Sequence, residues 1–311
     1  MKYFKTTYKF YAIGAIAFSL MLSALSGKAQ TTAPFSYTQY MDNLTPVNSA
    51  YSMLDTSGSI TGVVRKQWTG IDGAPTTYLL NGNIPLPNIG ASMGFIVQND
   101  QVAVEKQTSA SLFFAKSIQL QQNGYLAVSL NAGFRAYKAN YTSINDNNDP
   151  AFANNVSETK PNFGFSVMYY TDKYYLGFSL PQITLRSLGT ASVQDNNSFR
   201  NQYYFAGAYL FDIGDEFKFK PATLVAYQRG TPVTADISGT LYMKGTLGIG
   251  VDYRSTSEMA GILTLNLGQV HFGYSYQFGT NSNTLGGFNN ATHEISLTYR
   301  FGHGALNPKL L

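Results

Sequence analysis

Few residues in this 311-residue chain have the types and spacing for bond-making chemistry. There are three histidines, His271, His293 and His303. His271 falls on the polar face of an alternating stretch. A solvated or hydrogen-bonded imidazole is the simpler reading there than a catalytic base, because no nucleophile stands at a diagnostic spacing. No HExxH, Walker A or GxSxG motif has a supporting context. The Asn/Asp-rich stretches at 145–149 and 195–197 lack the glycine and closing glutamate of a calcium loop and read as polar surface loops. Cysteine is absent, which excludes disulfides, thiolate metal sites and lipoprotein attachment. The expectation is therefore no catalytic residue, no metal, no cofactor and no enzyme activity. What remains is a set of charges on polar faces: Arg65, Arg135, Asp252, Arg254, Glu294 and Arg300. Inside a wide barrel such residues set pore selectivity or pair with one another to fill the lumen.

The elements that must position these charges are strands. Period-two alternation recurs along the chain. Leu126, Val128, Leu130, Ala132 and Phe134 form one face, and Tyr125, Ala127, Ser129, Asn131, Gly133 and Arg135 form the other. Val270, Phe272, Tyr274, Tyr276 and Phe278 alternate with Gln269, His271, Gly273, Ser275 and Gln277. Ile295, Leu297, Tyr299 and Phe301 alternate with Glu294, Ser296, Thr298 and Arg300. The pattern predicts about 14 strands, near 57–68, 76–86, 88–99, 107–119, 123–136, 162–171, 173–183, 199–212, 216–228, 233–243, 246–254, 257–267, 269–278 and 291–302. Links after even-numbered strands are short, whereas 69–75, 100–106, 137–161, 184–198 and 279–290 are long and follow odd-numbered strands. Short turns on one side and long loops on the other are the habit of outer-membrane barrels.

Composition agrees. Charged residues are 12% of the chain, well below the usual quarter of a soluble protein, while Tyr and Phe number 23 and 21. A mean hydropathy of −0.12 is too polar for a bundle of membrane helices. The fold class expected is all-β: a transmembrane antiparallel up-and-down barrel. The competing architecture, a soluble sandwich, has no reason to alternate long and short links.

The first 29 residues read as a cleaved signal peptide, with Lys2, Lys5 and Lys9 before an apolar stretch and small Gly27 and Ala29 at the cleavage site. Its apolar run is short for an anchor helix. Removing its four lysines from 21 basic residues leaves 17, against 17 acidic ones, so net charge gives no reason to expect nucleic acid. The expected organisation is a leader at 1–29, an N-terminal segment at 30–56 at the periplasmic mouth or in the lumen, a barrel at 57–302 and a tail at 303–311. Both mature termini are expected in the periplasm.

One stretch is far more specific than its composition: Arg65-Lys66-Gln67-Trp68-Thr69-Gly70-Ile71-Asp72-Gly73-Ala74-Pro75-Thr76-Thr77. It resembles the signature of the PorP/SprF family of type IX secretion system membrane proteins of Bacteroidetes. Tyr37, Thr38, Gln39, Tyr40 and Met41, then Asn48, Ser49, Ala50 and Tyr51, also resemble that family, as do 173–181, 217–221 and the closing Tyr299, Arg300 and Phe301. The sequence departs from the family where Ser49 replaces a proline and Ser52-Met53 replace Ala-Gly. The resemblance implies a non-enzymatic outer-membrane barrel that supports export or surface retention of large proteins such as gliding adhesins. Its implied partners are a secreted substrate, translocon components and the lipid bilayer. From the residues themselves, Gly70, Gly73 and Pro75 predict a tight loop that Asp72 can cap, and Trp68 marks a strand end. Arg65, Lys66, Gln67, Trp68, Gly70, Asp72, Gly73 and Pro75 are the candidate partner-binding residues, with a purely structural turn as the other reading. The alternative function is a porin or transporter for a small solute.

Overall fold

The structure, a computed structural model, describes residues 35–144, 153–184, 199–281 and 286–302. The expected leader at 1–29, the Asn/Asp-rich stretches at 145–149 and 195–197, His303 and the tail lie outside these residues.

Fourteen antiparallel strands are described. They are β1 (Gly58–Lys66), β2 (Thr76–Leu86), β3 (Ala91–Val102), β4 (Glu105–Gln121), β5 (Gly124–Ala139), β6 (Val156–Tyr170) and β7 (Tyr174–Thr184). β8 runs as Gln202–Tyr209 and, past a break at Leu210, as Phe211–Ile213. Then follow β9 (Phe217–Gln228), β10 (Thr234–Met243), β11 (Leu247–Arg254), β12 (Glu258–Leu267), β13 (Val270–Gly279) and β14 (Thr292–Phe301). Each strand pairs with its sequence neighbours, and β14 pairs with β1, so the sheet closes on itself. Closure leaves no unpaired edge, which is what backbone polar groups require in lipid. No helix among the described residues is long and apolar enough to cross a membrane; the crossing is made by strands.

The pleat sorts the side chains inside out. Ile60 and Val64 of β1, Leu112 and Phe114 of β4, Leu130 and Phe134 of β5 and Val251 and Tyr253 of β11 are exposed. Thr61, Arg65, Ser129, Asn131, Arg135 and Asp252 are buried. An apolar surface of that extent marks contact with lipid.

Strand identities follow the alternation, while several boundaries differ from it, among them the end of β5 at Ala139 and the start of β8 at Gln202. The stretch 100–106, expected as a long loop, is almost entirely strand. β3 and β4 continue to Val102 and Glu105, joined by a tight turn in which Ala103 has φ 48°. β6 begins at Val156, earlier than its apolar alternation does, because its first turns lie beyond the apolar band, where Ser157 and Thr159 face outward. β3 begins late because Pro87–Ile89 forms a 3-10 turn closed by Gly90 in the left-handed region.

Candidate functional site

The lumen is not open. Residues 35–57 enter it and fill it, and Tyr37, Tyr40, Met41, Leu44, Val47 and Ala50 are almost completely buried there. The segment lacks regular periodicity because it contacts strands on every side. Leu44 turns back to accept from Val47 and Asn48 N–H groups, and Ser49–Met53 forms a 3-10 helix capped by the Asn48 side chain.

Its first anchor lies at the closure seam. Arg65 of β1 and Glu294 of β14 are register partners, and Arg65 Nη1 donates to Glu294 Oε2 at 2.9 Å with both side chains buried. The same carboxylate accepts from the backbone N–H groups of Thr38 (3.0 Å) and Gln39 (2.9 Å). Arg65 also donates to Gln277 Oε1 at 2.6 Å. Ser296 donates to the Gln39 amide oxygen at 2.6 Å. Gly273 makes room for that amide, since a Cβ there would collide with it. A charge this deeply buried is tolerable only when paired and hydrogen-bonded, and here the pairing includes the inserted segment.

A second anchor is Asp42. Lys220 Nζ stands 3.4 Å from Asp42 Oδ1 and donates to Met41 O at 2.6 Å, and Tyr242 donates to Asp42 Oδ1 at 2.8 Å. His271 Nε2 lies 3.7 Å from Asp42 Oδ2. Burial pushes the Asp42 carboxyl up, but Lys220, His271 and the hydrogen bonds from Tyr242 and Lys220 outweigh it and hold it below the ordinary value. On the opposite wall, Asn43 and Asn81 exchange reciprocal amide bonds of 2.9 and 3.1 Å. Ser49 Oγ meets Ser129 Oγ at 2.7 Å and Asn131 Oδ1 at 2.6 Å. Ser179 donates to Val47 O at 2.7 Å. The residue that departs from the family proline thus supplies a hydroxyl that ties the segment to β5.

The other interior charges are placed as follows. Arg254 Nε meets Asp236 at 2.6 Å, and its Nη2 donates to Ser36. Asp252 is buried beside them with Oδ1 unpartnered. Arg135 donates to Thr184 at 3.3 Å and lies over the Phe199 ring, which Lys160 approaches to 4.7 Å. Arg300 lines a polar crevice with Asp42, Asp55 and Asn83. His271 is buried in the lumen, whereas His293 lies on the outer wall and meets Tyr274 OH at 2.9 Å.

The block after Arg65 leaves the barrel. Lys66 is exposed on the outer wall, so the two basic residues divide between faces. Residues 67–75 form a loop held at its base on both sides. Gln67 N–H bonds Pro75 O at 2.9 Å, Thr69 N–H bonds Ala291 O at 3.0 Å, and Ala103 N–H bonds Gly73 O at 2.9 Å. Gly70 and Gly73 have φ of 92° and 71°, conformations that favour glycine. Trp68 is half-buried, with its ring in the space that a Cβ on Gly286 would occupy. Ile71 and Asp72 are exposed at the tip.

The lumen segment was not among the residues singled out by chemistry. Its signal lay in the Tyr37–Met41 and Asn48–Tyr51 blocks of the resemblance, and in a lysine, Lys220, on the interior face of β9, where the next interior residues are Ala222, Leu224 and Ala226.

Comparison with known proteins bears on both regions. The sequence matches the family described as "Type IX secretion system membrane protein PorP/SprF" over residues 29–299. No curated protein matches. Among solved structures, the chain is similar to the CymD monoaromatic hydrocarbon channel, with 12% identity, TM-score 0.50, and 88% of this chain and 95% of that one covered. It is also similar to the Acinetobacter baumannii outer membrane protein Omp33, with 9% identity, TM-score 0.46, and 80% and 99% covered. At such identities the likeness concerns the barrel fold.

Proposed function

The chain belongs to the PorP/SprF family of type IX secretion system membrane proteins, and from that premise we propose that this outer-membrane barrel is a closed docking platform. It engages a secreted protein, such as an adhesin, or a translocon component at its long-loop end and retains it at the surface. The observation that carries this reading is the filled lumen: a segment bonded to β1, β2, β5, β7, β9, β10 and β14 occupies the path a polypeptide or solute would take. A platform needs a rigid exposed feature, and the loop at 67–75, with Trp68 at its base, is one. The porin alternative draws on the barrel fold alone.

In this reading the leader is cleaved after Ala29, both mature termini are periplasmic, and the long loops face outward. The chain has no cysteine, so labelling with an impermeant maleimide tests the orientation cleanly. Cysteine at Thr69 or Ala74 is expected to react on intact cells, and at Asp172 or Gly245 only after the envelope is opened; the reverse pattern overturns it. Docking is tested by recovering partners of the mature protein from native outer membranes and by scoring surface proteins in a strain lacking it. Loss of one or a few surface proteins with unchanged solute uptake supports the reading. Normal surface proteins with lost uptake favour the porin.

A further inference from the structure

Three lysines share one line on the outer wall near the long-loop end. Register partners run Lys66–Thr76, Thr76–Gln101, Gln101–Lys106, Lys106–Lys138 and Lys138–Ser157. The face they occupy is the one that carries Val64, Tyr78, Val97, Leu112 and Phe134 further along the same strands, all exposed. Lys66, Lys106 and Lys138 are exposed, and among the described residues none of them has an acidic partner. At the short-turn end the pattern differs. Lys173 pairs with Asp212 at 3.0 Å and Lys244 with Glu216 at 3.1 Å, while Lys116 has no acidic partner among the described residues.

Lys106 and Lys138 are directly opposite on neighbouring strands, where Cβ atoms are about 4.5–5.5 Å apart and like charges destabilise the pair. Among the described residues nothing stands between them to offset this; an anion shared by the two ammonium groups does. One step nearer the apolar band, Asn99 Nδ2 donates to Thr108 Oγ1 at 2.6 Å and forms a polar ledge below them. We infer that this line is a binding site for phosphate-bearing lipid headgroups, centred on Lys106 and Lys138 and extended by Lys66.

A lipid is favoured over a free anion because the site lies on the wall just beyond the apolar band. One molecule engages the lysines with its phosphate and the aliphatic and aromatic side chains with its acyl chains. The leaflet that supplies the lipid follows from the proposed orientation: with the long loops outward, the ligand is a phosphorylated glycolipid of the outer leaflet.

The test uses purified full-length mature protein in a neutral detergent, titrated with bis-phosphorylated lipid A, its dephosphorylated counterpart and inorganic phosphate. Binding is read by native mass spectrometry and by protection against thermal unfolding. Wild type is expected to retain lipid A, to bind the dephosphorylated form at least tenfold more weakly, and to be unaffected by millimolar inorganic phosphate. A basic residue at an anionic surface contributes about a fivefold gain, so the K66Q/K106Q/K138Q variant is expected to bind about a hundredfold more weakly. The K173Q/K244Q variant serves as the control and is expected to bind as wild type does. If the triple variant fails to show heat-modifiable mobility, K138Q alone is used, with about fivefold weakening expected. Equal binding by wild type and the lysine variants, or equal binding of both lipids, overturns the inference. Competition by inorganic phosphate overturns it in favour of a small-anion site. No secretion partner enters the assay, so its outcome is independent of the docking reading, which is scored by surface display.

Discussion

Two blocks that resemble the same family have opposite environments. The segment at 35–57 is surrounded by strands, with backbone and side-chain groups bonded to the wall. The loop at 67–75 is fastened only at its base and carries Ile71 and Asp72 into solvent. Arg65 joins the two regions: its side chain clamps the first, and two residues later the chain leaves for the second. In the proposed reading the contrast teaches how one surface is held for a partner. The buried block is bonded across the closure seam, and the exposed block is mounted on that seam.

Mutations at the two blocks should therefore separate stability from display. The largest effect is expected at Glu294. Glu294→Ala leaves Arg65 buried without its partner and removes the acceptor of two backbone N–H groups; breaking a buried pair costs about 3–5 kcal/mol. Urea unfolding in detergent and the heat-modifiable fraction measure this, and wild-type values for both would break the assignment of the seam clamp. Asp42→Asn is expected to cost about 2 kcal/mol, the scale of a hydrogen bond to a charged group. Its effect depends on pH. The folded carboxyl has a lowered pKa, so its stabilisation is complete above the unfolded value near 4 and fades as pH falls through the folded one. The wild-type advantage over Asp42→Asn is thus present at neutral pH and shrinks in acid.

The alternation made the strands legible because one face meets lipid and the other meets a polar interior. It made the interior charges legible for the same reason, as Ser129, Asn131 and Arg135 illustrate on β5. It failed where both faces are wet: Val156 to Pro161 carries no apolar stripe and reads as loop, yet pairs along β5. The insertion of residues 35–57 was open between mouth and lumen, because a segment enclosed on all sides has no period to announce. Asn43 and Ser49 look like loop residues until Asn81, Ser129 and Asn131 appear opposite them. Pairings between residues so distant in sequence are set by barrel closure and leave no local mark.

Smaller effects sharpen the comparison. Ser49→Pro restores the residue the family pattern favours. It removes the hydroxyl bonds to Ser129 and Asn131 but fixes φ at the first position of the 3-10 helix, where proline is tolerated. The two terms oppose each other, so the net loss is expected to be about 1 kcal/mol or less. A loss comparable to that of Glu294→Ala would show that Ser49 does more than tie one wall. Trp68→Ala should change barrel stability least, since the ring is half-buried and packs on loop residues. Its expected consequence is loss of surface display with normal barrel abundance. Reduced abundance would instead make the loop a structural turn.

The most direct test of a closed platform is to lock the segment in place. Ser49 and Ser129 hydroxyl oxygens are 2.7 Å apart, and the chain has no cysteine of its own. Cells carrying Ser49→Cys and Ser129→Cys together would be scored for crosslink formation and for display of surface proteins, with and without reductant. A barrel that works with its lumen filled predicts a high yield of crosslink and full display in both conditions. Display that is lost on crosslinking and regained on reduction would mean that the segment leaves the lumen during function, and would contradict the account.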